Sequence, residues 1–185
     1  MAETGVETDR DLLSRIATGD RSAMRDLYER HNAPLYRFLL SRLSDRFEAA
    51  DVMQETFIDV WRGAGRFEGR SSVTTWMFGI ARNKSIDRMR RSGRVVVSEP
   101  DETMADDAPD PEAVAEAASD ADRVRGCIEG LGAQHRAAVE LAFFQDLAYR
   151  EIADIEGVPV GTVKTRIASA KQLLKRCLAA FGLVA

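Results

Sequence analysis

Apolar residues return every three or four positions along most of this chain, and nowhere do they alternate for long enough to make a strand. The opening stretch DLLSRIATGD reads as a short turn ending at Gly19, after which Asp20 can cap a longer helix. Over 21–43 the apolar stripe is Met24, Leu27, Tyr28, Leu35, Phe38, Leu39 and Leu43, and Pro34 predicts a kink or a fresh helix start. A third helix is expected over 47–62, with Met53, Phe57, Val60 and Trp61 on its buried face. After the loop GAGRFEGRSS, Ser71 is the expected cap of a fourth helix that runs to Arg91 and buries Trp76, Ile80, Ile86 and Met89. The second half predicts shorter helices over 120–129, 133–145, 148–156 and 160–179, with Gly130, Gly132 and Gly157 at their ends and Pro159 in a first turn that tolerates it. RVVVS at 94–98 is apolar but short and isolated. The expected class is all-α.

Charge then divides the chain. It holds 26 Lys+Arg against 30 Asp+Glu, a formal net charge of -4. Residues 98–122 alone carry ten acids and no Lys or Arg, which leaves the rest with 26 basic against 20 acidic residues. Two stretches are strongly cationic: 82–94 has six basic residues and one acid, and 161–177 has five and none. The acidic segment also holds Pro100, Pro109 and Pro111, few large apolar residues and no helical period, the composition of a flexible linker. Some twenty such residues at ~3.3 Å each reach on the order of 60 Å when extended. The expected organisation is therefore two small helical domains, 1–95 and 118–185, joined by an acidic linker over 96–117.

Residues 151–176, EIADIEGVPVGTVKTRIASAKQLLKR, read as a short helix, a Gly/Pro-marked turn and a second helix. On the last helix Val163, Ile167, Ala170 and Leu174 form the buried stripe, and Thr162, Thr165, Ser169 and Gln172 point away from it. Lys164, Arg166 and Lys171 lie on its flanks. Small hydrogen-bonding side chains flanked by cations suit a helix in a major groove, where the centre meets base edges and the sides neutralise phosphates. An amphipathic helix with a solvated basic face has the same pattern.

Other chemistry is sparse. No Gly-rich phosphate loop or nucleophile–His arrangement occurs, and the two histidines, His31 and His135, offer little acid–base capacity, so an enzyme is not expected. Cys127 and Cys177 lack metal-ligand spacing and fall in register with apolar neighbours; they read as buried thiols, with a redox pair as the less favoured alternative. Neither a metal nor a cofactor is expected. No run of ~20 apolar residues is present, and the acidic opening MAETGVETDRD is unlike a secretory signal, so the expected location is cytoplasmic without membrane insertion.

The phrases DVMQETFIDVWRG (51–63) and FEGRSSVTTWMFGIARNKSIDRMRR (67–91) resemble region 2 of bacterial sigma factors, and AYREIADIEGVPVGTVKTRIASAKQLLK (148–175) resembles their region 4. The order and the direct linker are similar to the extracytoplasmic-function subfamily of the sigma-70 family. The resemblance implies a protein that binds core RNA polymerase, recognises −10 and −35 promoter elements and helps open DNA, without catalysis of its own. It places Asp51, Gln54, Glu55 and Asp59 against the clamp helices of the polymerase's largest subunit. For the −10 element it implies a loop that captures a flipped base, with Phe67, Ser71, Ser72 and Thr74. Asn83 joins that recognition, while Arg82, Lys84, Arg88, Arg90, Arg91 and Arg94 hold strand phosphates. Trp76 sits close by but reads as core from its register.

For the −35 element the resemblance implies contacts from Thr162, Lys164, Thr165, Arg166, Ala168, Ser169 and Lys171. Ala168 and Ser169 stand where some members carry larger groups, so the promoter letters do not transfer. It further implies an anti-sigma factor, often membrane-bound and able to sequester the chain at the inner membrane. It also implies an acidic linker that occupies the polymerase's basic RNA channels. The competing expectations are a helix-turn-helix regulator that acts without polymerase, which leaves 51–91 unused, and a protein-only interaction module, which leaves both cationic stretches unused.

Overall fold

The computed structural model describes residues 7–93 and 119–184; the expected linker, the RVVVS stretch and Arg94 lie outside them. The described residues are helical and contain no strand, as the periodicity predicts. They fall into two compact units.

The first unit opens with α1 (Asp9–Ala17), a full helix where the sequence suggested only a turn. Its start is a capping box: the Thr8 hydroxyl accepts from the Asp11 amide, and the Asp11 carboxylate accepts from the Thr8 amide. Asp20 caps α2 (Arg21–Leu43) by accepting from the Ser22 and Ala23 amides. The helix continues through Pro34, which marks neither a break nor a new start. Leu27, Leu35, Phe38, Leu39 and Leu43 are buried as expected, together with His31 in the gap of the apolar stripe. Tyr28 remains 39% exposed and lies against Phe57, ring centroids 4.8 Å apart.

Asp45 caps α3 (Arg46–Gly63), which buries Val52, Met53, Phe57 and Val60 but leaves Trp61 partly exposed, contrary to expectation. A 3-10 turn (Ala64–Arg66) leads into the loop before α4 (Val73–Arg91). The cap of α4 is Ser72, one residue later than expected; its hydroxyl accepts from the Thr75 amide at 3.0 Å. The buried face of α4 also differs: Met77, Phe78, Ala81 and Ser85 are inside, whereas Trp76, Ile80, Ile86 and Met89 are half-buried. Phe78 meets Phe38 edge-on at 5.2 Å, so contact with α2 rotates α4 about one residue from the face its bulkiest side chains suggested. Trp76 covers Gly63 instead, where a Cβ would stand 3.1 Å from the indole.

Residues 119–184 form α5 (Asp120–Glu129), α6 (Ala133–Val139), α7 (Tyr149–Glu156) and α8 (Val160–Ala179). The helix expected over 133–145 is α-helical only to Val139 and continues as a π-turn, Glu140–Phe144, that leaves Phe143 and Phe144 exposed. Gly157 ends α7 in the left-handed region, at φ 63. On α8 the buried stripe is Val163, Ile167, Ala170, Leu173 and Cys177. Leu173 takes the place expected for Leu174, which packs from the side onto the cluster of Leu131, Val139, Ala170 and Leu173.

Cys127 of α5 and Cys177 of α8 are joined in a disulfide, Cα–Cα 6.0 Å, which corrects the reading of two separate thiols. Both are buried, so the apolar register was right, while the pair, the less favoured alternative, is what the structure holds across 50 residues. A loop of that length gives a crosslink a stabilising effect of about 2–4 kcal/mol. Cys177→Ser, or dithiothreitol, should lower the urea midpoint of the second unit, and the Cys127→Ser/Cys177→Ser double variant should no longer respond to dithiothreitol.

Candidate nucleic-acid and partner interfaces

Along α3 the acids Asp51, Glu55 and Asp59 recur at four-residue steps, and Lys84 and Arg88 recur at the same step along α4. The two helices pack with these rows facing. Lys84 Nζ lies 2.8 Å from Asp59 and 3.6 Å from Glu55; Arg88 lies 3.0 Å from Glu55 and 3.8 Å from Asp51. The expected polymerase-binding ridge and part of the expected −10 surface thus form one ion-pair seam. Its acids keep an outer side in solvent, with Asp51 at 66% and Glu55 at 48% side-chain exposure. Gln54 is exposed beside them. Three acids against two cations leave the seam with a negative surplus.

Of the other polar side chains of α4, Thr75 and Ser85 are buried and Arg82 is half-buried. Asn83, Arg90 and Arg91 are exposed and make no side-chain hydrogen bond or ion pair among the described residues. Arg82 is on the same helix. In the loop ahead of α4, Phe67 is half-buried against Trp76, ring centroids 5.1 Å apart. Ser71 and Thr74 offer hydroxyls at the surface of a cleft of roughly 510 Å³. Ser72 is engaged as the helix cap and also shares a 2.7 Å hydrogen bond with Thr75 Oγ1.

The opposite wall of that cleft comes from the N-terminus, which the sequence reading passed over: Glu7, Thr8, Asp9 and Arg10, with Arg30 of α2. Asp9 joins the walls. One oxygen bonds Arg30; the other accepts from His31 Nε2 at 2.6 Å, and Thr74 Oγ1 reaches it at 3.5 Å. Burial pushes the Asp9 carboxyl up, but the hydrogen bonds and charges of His31 and Arg30 outweigh it and hold the group below its ordinary 3.8. The T-x-x-D start of α1 was readable as a capping box; its contact with residue 74 was not.

On α8, Lys164, Thr165, Ala168 and Lys171 are exposed, and Thr162, Arg166 and Ser169 are half-buried. Thr165 donates its hydroxyl to the Gly161 carbonyl at 3.1 Å. The Lys171 ammonium sits 5.2 Å from the centre of the exposed Phe143 ring, a cation–π contact that ties one flank of α8 to the π-turn. Among the described residues no His, Cys, Asp and Glu side chains gather as a metal site requires, and no helix is long and apolar enough to cross a membrane.

Family models match both halves: Sigma-70 region 2 over residues 27–95, and Sigma-70 region 4 over 121–174. The ECF RNA polymerase sigma factor RpoE of Cereibacter sphaeroides is 36% identical over 161 residues, 85% of this chain and 87% of the relative. SigL of Mycobacterium tuberculosis, also described as an ECF RNA polymerase sigma factor, is 32% identical over 92% of this chain and 97% of its own length. Among solved structures, CnrH in complex with the cytosolic domain of CnrY shares the fold with a TM-score of 0.61 at 24% identity, covering 93% of this chain and 97% of that one. RpoE of Bartonella quintana, in complex with the anti-sigma factor NepR, gives 0.58 at 24% identity, covering 84% of this chain and 98% of that one.

Two outcomes follow from the geometry. Asp9→Asn should destabilise the protein by about 1–3 kcal/mol at pH 7. Because the Asp9 pKa is depressed in the fold, its contribution is complete above 3.8 and disappears as pH falls through the lower folded value. Thermal melts of the variant and the unchanged protein should therefore stay apart down to the ordinary carboxylate range and converge only as pH falls through that lower folded value. In the seam, Lys84→Ala and Arg88→Ala should each cost under about 1 kcal/mol, because the acids they meet are largely solvated. Urea midpoints measured alongside DNA binding would then separate lost contacts from lost folding.

Proposed function

The chain belongs to the ECF RNA polymerase sigma factors, and on that premise we propose that its two units divide the promoter between them. The unit of α1–α4 docks on core RNA polymerase through Asp51, Gln54, Glu55 and Asp59 and receives the −10 strand at the 67–74 loop and along α4. The unit of α5–α8 lays α8 in the major groove of the −35 element. Residues 1–95 and 118–185 are the corresponding domains, and the acidic segment 96–117 occupies basic channels of the polymerase between them. The protein catalyses no reaction itself; it lends the polymerase specificity.

The observation that carries this proposal is the match of region 2 and region 4, in that order, to two helical units with different polar surfaces. The negative surplus and solvent-facing side of the α3 seam favour a basic partner helix. Asn83, Arg90 and Arg91 are free to meet a nucleic-acid backbone, which should make binding salt-dependent. Extruding a base costs a few kcal/mol, and the loop offers Phe67, Ser71 and Thr74 as compensation. On α8, exposed Lys164 and Lys171 flank small side chains that can approach base edges. The protein works in the cytoplasm and is held inactive by an anti-sigma factor. Supporting that partner are the NepR complex of a protein with the same fold and the apolar groups that α3 leaves exposed, Phe47, Ile58 and Trp61.

In vitro transcription with core bacterial RNA polymerase on fragmented genomic DNA from the source organism tests this reading. Discrete transcripts should appear only when the protein is added, and their start sites should share two upstream elements. Sequence-specific DNA binding without polymerase, with neither transcripts nor core binding, would favour the stand-alone regulator.

A further inference from the structure

The cleft between α1 and the 67–74 loop has a wall whose side chains are nearly all committed. Arg15 holds the Glu7 carboxylate at 2.7 Å, and the Thr8 hydroxyl is engaged in the capping box of α1. Asp9 is bonded to both Arg30 and His31 Nε2. Arg10 is the exception. Its side chain is exposed and has no hydrogen bond or ion pair among the described residues. The guanidinium lies directly over Gly69, where a Cβ would stand 3.0 Å from its terminal nitrogen. Gly69 has φ +70, so a side chain is disfavoured there by backbone geometry as well as by space. The loop backbone thus passes under an uncommitted cation at the mouth of the cleft.

We propose that Arg10 is a nucleic-acid ligand of this cleft: its guanidinium binds the phosphate beside the nucleotide whose base enters between α1 and the loop. Asp9 acts as the positioning residue that fixes α1 opposite Thr74. This inference rests on the loop receiving an extruded base. Extrusion turns the base inward while its phosphate stays at the rim, within one nucleotide of the pocket. A phosphate brought against protein needs a cation there. Of the two arginines lining the cleft, Arg30 is bonded to Asp9, which leaves Arg10. The planar fork of a guanidinium suits phosphate oxygens better than an ammonium does.

The test uses the full chain assembled with core RNA polymerase and fork-junction DNA of the strongest promoter found by transcription. Binding is measured for the unchanged protein, Arg10→Ala, Arg10→Lys and Thr74→Val. The DNA carries methylphosphonate linkages, or abasic sites, placed one at a time through the −10 element. Arg10→Ala should weaken binding about tenfold and make the salt dependence shallower by about one phosphate contact. A methylphosphonate at one linkage should cancel that loss, and Arg10→Lys should restore it in part. Equal affinity and salt slope for Arg10→Ala, with an unchanged melting temperature, would overturn the proposal, as would a loss undiminished by every methylphosphonate. If abasic sites and Thr74→Val weaken binding while Arg10→Ala does not, only the role of Arg10 fails. If no abasic site and no loop variant matters, base capture fails and the Arg10 proposal falls with it.

Discussion

The buried face of α2 meets α1, α3 and α4 at once, so one apolar surface sets the position of every polar feature in the first unit. Leu27, Leu35, Phe38 and Leu39 are fully buried along it, and each such side chain contributes about 1.5–3 kcal/mol relative to exposure. The edge-on meeting of Phe38 with Phe78 turns α4 so that Lys84 and Arg88 come over α3. Helix α2 also carries His31, a buried polar group placed where an apolar residue would continue the stripe. Its bond to Asp9 satisfies Nε2 and fastens α1, so a break in the apolar pattern builds one wall of the cleft.

The second unit solves a different problem. It is small, and domains of this size bury little apolar surface for the entropy they must overcome. Its buried apolar side chains include Leu131, Leu141, Ile152, Val163, Ile167 and Leu173. The Cys127–Cys177 bond adds a covalent tie from α5 to the last turn of α8. At the other side of α8 the π-turn holds Phe143 against Lys171. The orientation of α8 is thereby supported near both its middle and its end.

Much of this was legible in the sequence because it is local. The bounds of α8, the Asp20 cap and the α2 stripe each follow from residues within a turn or two of one another. The family resemblance, resting on whole phrases, was also legible. The face of α4 was not, because apolar residues surround much of that helix and periodicity alone cannot choose between Trp76 with Ile80 and Met77 with Phe78. The acid and base rows of α3 and α4 were each visible, but treating them separately missed that they face one another. Asp9 with Thr74, and Cys127 with Cys177, join positions 65 and 50 residues apart, beyond the reach of any local rule.

The seam between α3 and α4 has a consequence for descent. Glu55 touches both cations and each cation touches two acids, so the four contacts form one chain with Asp51 and Asp59 at its ends. A lineage that loses Lys84 or Arg88 acquires a line of carboxylates at four-residue steps, and like charges so spaced repel one another. The most accessible second step is the loss of an acid, which alters the face that α3 turns to solvent. The five side chains therefore act as one set, and a charge change in one helix alters the balance left on the other.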